Sequence, residues 1–535
     1  MKLNLELLEK KQELEKINIK IPNYDVKKLQ ENTEENCKWL HFGAGNIFRA
    51  YLGKIQQDLI EKGLENTGII AVDTLNSETI ERVYKPYNNL TISVVLSKDG
   101  IFSKEIIGSI TKAIDYSNNL EYDILKKIFK NELLQIVTFT VTEKGYNLYG
   151  TSGEFLPIVK KDINNDPVES KHLISKITRL LYERYKSNKL PLTLISMDNC
   201  SNNGDLLKNS IITIAKKWIE NNFLEEEFID YIKNDKLISF PITMIDKITP
   251  RPSEIIATEL MNDGFEDIRP IITTDGTHIA PFVNSEKAGY LVIEDAFTNG
   301  RPSFEEVGIY VTTRENVDKS EKMKVTACLN PLHTTLAVYG CLLGYSLIAD
   351  EMNDRELVKL IKKIGYEESL PVVNAPSILE PKEFINEVLE ERLPNRFLPD
   401  SPQRIATDTS QKVGIRFGET IKSYLENEDL NVTDLQFIPL AIAGWLRYLL
   451  SVDDKGETFE LSPDPLLDEL TKYLVGISLE EFKPDYSELN KLLSNEKIFG
   501  VDLVEIGLSD KVINYLKELS SSIGAVRRTL EKYLL

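Results

Sequence analysis

The sequence predicts an α/β fold followed by a largely helical part. Up to about residue 315, short apolar segments alternate with segments of helical spacing, which is the pattern of a parallel sheet covered by helices on both faces. Beyond that point the helical spacing continues, and no apolar segment is convincing as a strand. We therefore predict two domains, residues 1–315 and residues 316–535, which is within the range that the chain length suggests.

Four segments of the N-terminal part are predicted as buried strands, because each is a short and mostly apolar run. They are residues 37–42, 68–73, 134–141 and 190–196. Helical spacing occurs around them at residues 47–63, 123–129 and 171–186. The helices predicted in the C-terminal part are residues 324–345, 354–365, 381–391, 414–426, 438–450, 464–474 and 510–534.

The composition argues against several classes of protein. The 84 acidic residues outnumber the 64 basic ones and give a net charge of −20, which disfavours non-specific nucleic-acid binding because phosphates repel such a surface. The four cysteines lie far apart, so neither a disulfide framework nor a thiolate metal site is indicated. The N-terminal segment is charged throughout, and there is no run of about 18 apolar residues for a membrane span. We expect a cytoplasmic protein without membrane or nucleic-acid partners.

A glycine-containing turn follows the first predicted strand. Gly43 and Gly45 stand where glycines let backbone N–H groups approach a pyrophosphate at a helix N-terminus. Phe48 replaces the third glycine of the dinucleotide fingerprint, so an ordinary strand-to-helix turn is the alternative. Asp73 ends the second strand, where a carboxylate accepts hydrogen bonds from the adenosine ribose and repels the 2′-phosphate of NADP. Together these residues predict a Rossmann-type dinucleotide-binding domain that uses NAD.

Lys324, Asn330 and His333 fall within ten residues of an otherwise apolar helical segment. A Lys ammonium in apolar surroundings has a lowered pKa, which can make it a proton acceptor near neutral pH. An amide and an imidazole beside it can hold a substrate oxygen while charge develops there. The alternative is a helix start whose polar residues cap the helix and face solvent.

Polar segments also follow the later predicted strands, at the edge where open α/β sheets bind their ligands. Residues 142–146 contain Gly145 and on their own predict no more than a turn. Residues 196–204 carry a density of donors and acceptors that suits a polyhydroxylated ligand. Asx residues also form turns unaided, which is the alternative for this segment.

Two pairs of charged residues complete the set of candidates. Asp246 and Lys247 stand in an apolar segment, where they either form an ion pair or face one cleft. Arg404 and Lys412 share one face if residues 404–412 are helical. Two cations on one face either bind the hydroxyls or carboxylate of a substrate or face solvent, as most Arg and Lys residues do.

Taken in this order, the segments resemble the polyol-specific long-chain dehydrogenase family, also called the mannitol dehydrogenase family. The resemblance is carried by HFGAGNIFRA (41–50), TEKGY (142–146), SMDNCSNNG (196–204), FPITMIDKITP (240–250), VIEDAFTNGRP (292–302), KVTACLNPLH (324–333), RIATDTSQK (404–412) and AGWLRYL (443–449). It implies an NAD(P)-dependent, metal-independent oxidoreductase with a Rossmann-type N-terminal domain and a helical C-terminal domain. It also implies that the active site lies between the two domains.

The resemblance further implies roles for single residues. Lys324 is expected to be the general acid/base, Asn330 to stabilise charge on the reacting oxygen, and His333 to fix the substrate and the lysine. The expected cofactor-binding residues are Gly43, Gly45, Asn46, Ile47, Arg49, Asp73 and Thr142. The expected substrate-binding residues are Asn199, Asp246, Arg404 and Lys412.

The sequence departs from the family pattern in two places. Asn330 follows Lys324 by six residues, whereas the usual spacing in the family is one residue shorter. Either a one-residue bulge takes up the difference, or Lys324 is displaced and Lys322 is the nearby substitute. The usual aromatic-His-Arg segment of the nucleotide loop reads Ile47-Phe48-Arg49.

We expect an NAD-dependent reductase of hexuronates that interconverts D-fructuronate and D-mannonate. The choice of a uronate depends on the branch of the family that the sequence resembles and on Lys247, Arg404 and Lys412 as cations for a carboxylate. The alternatives are tagaturonate with altronate, mannitol with fructose, and a nucleotide-binding protein without catalysis. The expected partner is a small-molecule substrate, and the expected assembly is a monomer or a small homo-oligomer that binds no metal.

Overall fold

The computed structural model describes residues 1–74, 77–150 and 152–534 of the chain. It has two compact units. The first comprises Met1–Leu96 and Ile101–Val317, and the second comprises the chain from Asp318 onward together with Ser97–Gly100. No helix among the described residues is long and apolar enough to span a membrane. Within the same ranges, no group of three or more His, Cys, Asp and Glu side chains is placed to hold a metal ion.

The main sheet of the first unit has six strands in the order found in dinucleotide-binding folds. In chain order they are β1 (Trp39–Phe42), β2 (Ile69–Asp73), β3 (Ile110–Asp115), β4 (Ile136–Phe139), β5 (Leu192–Ser196) and β6 (Ile238–Ser239). The strands pair in the order β3-β2-β1-β4-β5-β6, and every pair is parallel. The order reverses between β1 and β4, where such sheets bind ligands. The predicted α/β fold with a Rossmann-type N-terminal domain is confirmed.

Helices cover both faces of this sheet, as the complete burial of β1, β2 and β4 requires. Successive strand residues point to opposite faces. Leu40 therefore belongs to one apolar cluster, with Phe129 and Trp218, and Trp39 belongs to another, with Phe48. The helical segments of this unit are Leu5–Glu9, Lys11–Lys16, Val26–Glu35, Phe48–Leu52, Gly53–Glu61, Ser77–Thr79, Ile80–Tyr84, Lys85–Tyr87, Asn119–Lys130, Thr142–Tyr146, Pro157–Asn164, Pro167–Glu169, Leu173–Ser187, Asn203–Glu220, Glu227–Lys233, Glu254–Asn262 and Phe304–Val307.

Smaller sheets that were not predicted complete the first unit. One has four strands, in the order Ile19–Lys20, Phe102–Ile107, Thr91–Leu96 and Phe282–Glu286. Another has three strands, in the order Thr243–Asp246, Tyr290–Glu294 and Tyr310–Thr312, and a third pairs Ile271–Ile272 with His278–Ile279. Several of these strands mix charged and apolar residues, as in Phe102–Ile107, and so lack the continuous apolar signal of a buried parallel strand.

The second unit is mostly helical, as predicted. The helix Arg314–Lys322 crosses from the first unit into the second. The other helical segments of the second unit are Met323–Cys328, Asn330–Leu343, Ile348–Glu351, Arg355–Lys362, Lys363–Ser369, Leu370–Val372, Pro381–Glu387, Val388–Arg392, Pro402–Ile405, Thr409–Gln411, Gly414–Gly418, Glu419–Glu426, Val432–Asp434, Phe437–Tyr448, Leu467–Tyr473, Tyr486–Leu493, Glu496–Phe499, Ser509–Leu519 and Ala525–Tyr533. The only strands described in this unit form the short pair Ile477–Ser478 and Glu481–Phe482.

The core of the second unit is built on Asn330–Leu343 and Phe437–Tyr448, which pack against each other. Gly444 allows the close approach, because a Cβ there would lie 2.6 Å from the ring of Tyr339. The hydroxyl of Tyr339 donates a hydrogen bond to Leu440 O at 2.9 Å. This packing fixes the position of the helix that begins at Asn330.

The single helix predicted at residues 510–534 is wrong, because the structure has two. Ser509–Leu519 and Ala525–Tyr533 are separated at Gly524, whose φ is +76°. A left-handed residue ends the helical path. The apolar spacing continues across the break, and for that reason the sequence pattern did not show it.

Candidate active site

The loop after β1 turns sharply at Gly43. The φ of Gly43 is +116°, and a Cβ there would lie 2.1 Å from Thr140 O, so only glycine fits. Gly45 is exposed, and a Cβ there would meet no atom within 4 Å. The turn therefore leaves open space beside the helical segment that starts at Phe48, which fits a pyrophosphate.

Asn46 and Arg49 form a hydrogen-bonded pair at this turn. Arg49 is 1% exposed, and its Nη1 donates to Ala280 O at 2.7 Å. Its Nη2 donates to Asn46 Oδ1 at 2.9 Å. The guanidinium points into the protein and orients the Asn46 amide. Ile47 is partly buried and packs against the apolar cluster that contains Phe48.

Asp73 ends β2 and is 5% exposed. Burial, with a smaller contribution from the Asp73 charge, raises the pKa of Tyr84 and that of Tyr116. The hydroxyl of Tyr84 donates to Ala44 O at 2.9 Å, which ties the segment Ile80–Tyr84 to the glycine turn.

Asp198 joins the loops that follow β4 and β5. Its carboxylate accepts hydrogen bonds from Val141 N at 2.9 Å and from Thr142 N at 2.8 Å, and also from the hydroxyl of Tyr146 at 2.5 Å. These bonds hold Thr142 in the left-handed conformation, with φ +63°. Burial raises the pKa of Asp198, although the three donors oppose the shift. Sequence reasoning did not single out this residue, and the available signal was an acid directly after a buried strand.

The amides that follow Asp198 have different surroundings. Asn203 is fully buried, and its side chain binds Asp198 O at 2.9 Å and the Thr243 backbone N–H at 2.9 Å. Asn203 therefore has the turn-forming role that was the alternative for this segment. Asn199 is exposed on the turn after β5.

Asp246 and Lys247 lie at the end of the strand Thr243–Asp246, and Asp246 is 8% exposed. The Lys247 Nζ donates to Glu286 O at 2.6 Å and to Ala288 O at 2.8 Å. It also lies 5.3 Å from the centroid of the Tyr51 ring. Two backbone carbonyls therefore accept from this ammonium, and the role of Lys247 toward a substrate carboxylate stays a prediction.

Lys324 lies in a π-helical turn, Met323–Cys328, directly before the helix Asn330–Leu343. Leu329 N donates to Lys324 O at 3.1 Å, which is the i→i+5 bond of such a turn. A π turn holds one residue more than an α turn. The turn can therefore take up the one residue by which the spacing from Lys324 to Asn330 exceeds the usual spacing in the family. Of the two alternatives for this spacing, the structure has the one-residue bulge. Lys324 is 2% exposed, which excludes the solvent-facing alternative for this side chain.

Asn330 and His333 lie in the first turn of the following helix. Asn330 is partly exposed, and its amide makes no hydrogen bond with any residue that the structure describes. The Nε2 of His333 lies 3.4 Å from Asp400 Oδ2. Burial, aided by the charges of Arg416, Arg404 and Arg392, lowers the pKa of His333 to about 3. The imidazole is therefore neutral at neutral pH, and its approach to Asp400 is not an ion pair.

Arg404 and Lys412 are not on one helix, so the expectation that helical spacing aligns them is wrong. The helix Pro402–Ile405 ends before Asp408, whose φ is +53°, and a separate 3-10 turn follows at Thr409–Gln411. Burial lowers the pKa of Lys412, and the charges of Arg416 and, to a smaller extent, Arg404 add to the shift.

The cationic cluster around His333 is larger than the sequence indicated. It comprises Arg416, Arg404 and Arg392, whose charges lower the pKa of His333, and Lys412, whose own pKa is lowered by Arg416 and Arg404 after burial. Sequence reasoning missed Arg392 and Arg416, because they lie on separate turns and only the tertiary fold brings them to His333. Asp400 was also missed, and it accepts both fork N–H groups of Arg404 at 2.7 Å.

Comparisons with known proteins show which family the chain belongs to. The mannitol dehydrogenase Rossmann domain matches residues 37–306, and the mannitol dehydrogenase C-terminal domain matches residues 316–520. The chain belongs to the mannitol dehydrogenase family. It is an oxidoreductase that acts on CH–OH groups, and the resemblance seen in the sequence is confirmed.

Individual members of the family are similar over nearly the whole chain. The chain is 47% identical to the D-mannonate oxidoreductase of Thermotoga maritima, over 99% of each chain. It is 28% identical to the D-mannonate oxidoreductase of Escherichia coli, over 84% of this chain and 86% of the other. A crystal structure of D-sorbitol dehydrogenase in substrate-free form has a TM-score of 0.79 and 26% identity, and the match covers 95% of this chain and 97% of that one.

Proposed function

We propose that this protein interconverts D-fructuronate and D-mannonate with NAD as cofactor. The observation that carries the proposal is 47% identity, over 99% of each chain, to a D-mannonate oxidoreductase. The cationic cluster around His333 supports it, because a uronate carries a carboxylate that such a cluster binds. In this proposal residues 1–315 bind the nucleotide, and residues 316–535 supply proton transfer and substrate recognition.

The residues at the end of the main sheet fit a dinucleotide. The open space beside Gly45 suits a pyrophosphate, and Gly43 provides the turn that exposes it. In the proposal Asn46 and Ile47 line this turn, Arg49 acts by orienting Asn46, and Thr142 borders the crevice at the end of β4. The nicotinamide, when bound, supplies the hydride acceptor or donor for the carbon that carries the reacting hydroxyl.

Asp73 supports NAD over NADP. Its carboxylate ends β2, at the place where acids in this fold accept the ribose hydroxyls. The same negative charge repels a 2′-phosphate.

Lys324 is the proposed general acid/base. In the reductive direction it donates a proton to the carbonyl oxygen of the substrate, and in the oxidative direction it accepts the proton of the hydroxyl. The Asn330 amide N–H donates to the same oxygen and stabilises the charge that develops on it. His333, being neutral, positions the substrate by hydrogen bonding, and Asn199 and Asp246 are the proposed residues that hold its other hydroxyls.

A substrate panel tests the proposal. NADH oxidation would be measured with D-fructuronate, D-tagaturonate, D-fructose and fructose 6-phosphate. We expect D-fructuronate to have the highest kcat/KM, exceeding that of D-fructose by roughly 100-fold or more, since a buried polar site discriminates strongly against a substrate that leaves it unpaired.

The other outcomes of the panel separate the alternatives. A preference for D-tagaturonate would identify tagaturonate and altronate as the substrate pair. Turnover of D-fructose alone would show that the substrate is not a uronate. Binding of NADH without turnover of any of the four compounds would favour a protein that keeps the nucleotide site and lacks the reaction.

A further inference from the structure

The charge of Arg404 is already compensated within the cationic cluster. Its side chain is 68% exposed, and its Nε and Nη2 both donate to the carboxylate of Asp400 at 2.7 Å. This is the bidentate geometry in which a guanidinium binds a carboxylate. A substrate carboxylate could take the same fork only by displacing Asp400.

Lys412 is also engaged. Its Nζ donates to Thr407 O at 2.5 Å. Asp408 and Asp464 lie close enough to oppose the lowering of the pKa of Lys412. Its ammonium therefore has a backbone acceptor and two nearby acids.

Arg416 differs from both. Its Nη1 donates to the hydroxyl of Thr334, and no carboxylate pairs with it among the residues that the structure describes. A guanidinium has five N–H donors, so one hydroxyl leaves most of them without a strong acceptor. Burial lowers the pKa of Arg416 to about 10, yet the group stays charged at neutral pH. A partly buried cation without a counter-ion is unfavourable until an anion binds beside it.

The backbone holds Arg416 in a defined place. It lies on the π turn Gly414–Gly418, which packs against Met323–Cys328, the turn that carries Lys324. A Cβ on Gly418 would lie 2.0 Å from Phe499 O, and one on Gly414 would lie 2.8 Å from Ile498 O. The turn Gly414–Gly418 is therefore seated tightly on the helix Glu496–Phe499. Its partner Thr334 follows His333 directly in the helix that begins at Asn330.

We propose that Arg416 is the residue that binds the carboxylate of the substrate and so determines specificity for a uronate over a neutral sugar. This inference rests on the proposed function and assigns the carboxylate to one side chain. Arg404, held by Asp400, then serves mainly to organise the cluster. The negative charge of the substrate supplies the counter-ion that Arg416 lacks, while a neutral hexitol or ketose leaves the guanidinium uncompensated.

Arg416→Gln tests the proposal, with Arg396→Gln as the matched control. Arg396 belongs to the same unit and its side chain is 67% exposed, where it pairs with Asp350. For Arg416→Gln we expect KM for D-fructuronate to rise roughly 100-fold, because a charge-assisted bidentate contact is lost. We expect kcat to change much less, the affinity for NADH to be unchanged, and the affinity for D-mannonate in calorimetry to fall by the same factor as KM rises. Arg396→Gln should match the wild type in all of these.

Arg416→Lys is the second variant. It keeps the charge without the fork and should raise KM for D-fructuronate by roughly tenfold. If Arg416→Gln does not fold, the same measurements on Arg416→Lys test the proposal. The inference would be overturned if the Arg416 variant that folds keeps the KM for D-fructuronate and the affinity for D-mannonate of the wild type. In that case the wild type would still turn over D-fructuronate, and the proposed function would stand. Failure of the wild type to bind or reduce D-fructuronate would overturn the proposed function itself.

Discussion

At the scale of single residues, two acids in different surroundings have effects that can be measured separately. Asp73 ends β2, at the edge of the sheet where we propose that the nucleotide binds. Glu351 lies in the second unit, where it is 0% exposed and neither carboxyl oxygen has a hydrogen-bond partner. The first bears on cofactor choice and the second on stability.

Replacing Asp73 by Ser should relax the preference for NADH. The substitution removes the carboxylate that repels a 2′-phosphate. We expect the ratio of kcat/KM for NADPH to that for NADH to rise roughly tenfold or more, as when about 1.4 kcal/mol of repulsion is relieved. Asp58→Ser, which removes an acid paired with Lys54 on a neighbouring helix, is the control and should leave the ratio unchanged. An unchanged ratio in Asp73→Ser would show that Asp73 does not select the cofactor.

Glu351 should make the protein less stable as the pH rises. Burial, with smaller contributions from Asp354, Asp350 and Asp400, raises the pKa of Glu351 from 4.5 to about 10. The folded protein therefore keeps this proton, whereas the unfolded chain releases it above pH 4.5. The contribution of Glu351 to stability is complete below pH 4.5 and is lost progressively toward pH 10, by up to about 1.4 kcal/mol per pH unit.

Glu351→Gln replaces the titrating carboxyl group by a neutral amide. The variant should therefore lose less stability than the wild type as the pH rises. The thermal unfolding midpoints of the variant and the wild type would be measured at about pH 5, 7 and 9. The readout is the difference in stability between the two proteins, which should change by up to about 1.4 kcal/mol per pH unit. Glu367→Gln, at a side chain that is 53% exposed, is the control and should follow the wild type. Parallel midpoint curves for Glu351→Gln and the wild type would mean that Glu351 is ionised in the folded protein.

At the scale of elements, the π turn Met323–Cys328 reconciles the sequence with the family pattern. A hydrogen bond in a π turn spans five residues, whereas one in an α-helix spans four. Six residues that include a π turn therefore rotate the chain about the helix axis by about as much as five residues of an α-helix. The π turn thus takes up the additional residue between Lys324 and Asn330. Turns of this kind occur often at functional sites.

Deleting Val325 should convert the π turn to an α turn and retain activity. We expect the deletion variant to keep kcat for D-fructuronate within roughly tenfold of the wild type, because Lys324 still faces the same way relative to Asn330. Inserting one Ala after Val325 rotates Lys324 by about 100° in a helix and should reduce kcat by roughly 100-fold or more. Equal losses in both variants, with unchanged thermal unfolding midpoints, would refute the compensation by the π turn.

At the scale of the whole molecule, the sequence predicted four of the six strands of the parallel sheet, because these four are buried on both faces, and it missed β3 and β6. β1, β2, β4 and β5 are continuous apolar runs, and a run of this kind can be read without knowing its neighbours. The antiparallel strands were not predictable in this way. In Phe102–Ile107 the residues Lys104 and Glu105 interrupt the apolar pattern, and only pairing with Thr91–Leu96 makes the segment a strand.

The candidate site was predictable where its residues are close in the sequence. Lys324, Asn330 and His333 stand in one short segment, and Gly43 and Gly45 in another. Arg416 and Asp400 were not predictable, because their relation to His333 depends on how three separate turns pack. The spacing of Arg404 and Lys412 suggested a shared helix, and the left-handed residue between them, Asp408, breaks it.

We propose that Lys324 transfers the proton in the reduction of a uronate. A single-turnover measurement of NADH oxidation with D-fructuronate tests it directly, in the wild type and in Lys324→Ala. We expect the rate of the variant to fall by roughly 10²–10⁴-fold, the usual contribution of a positioned general acid, while NADH and D-mannonate still bind. A Lys324→Ala rate within a few-fold of the wild type would contradict the account.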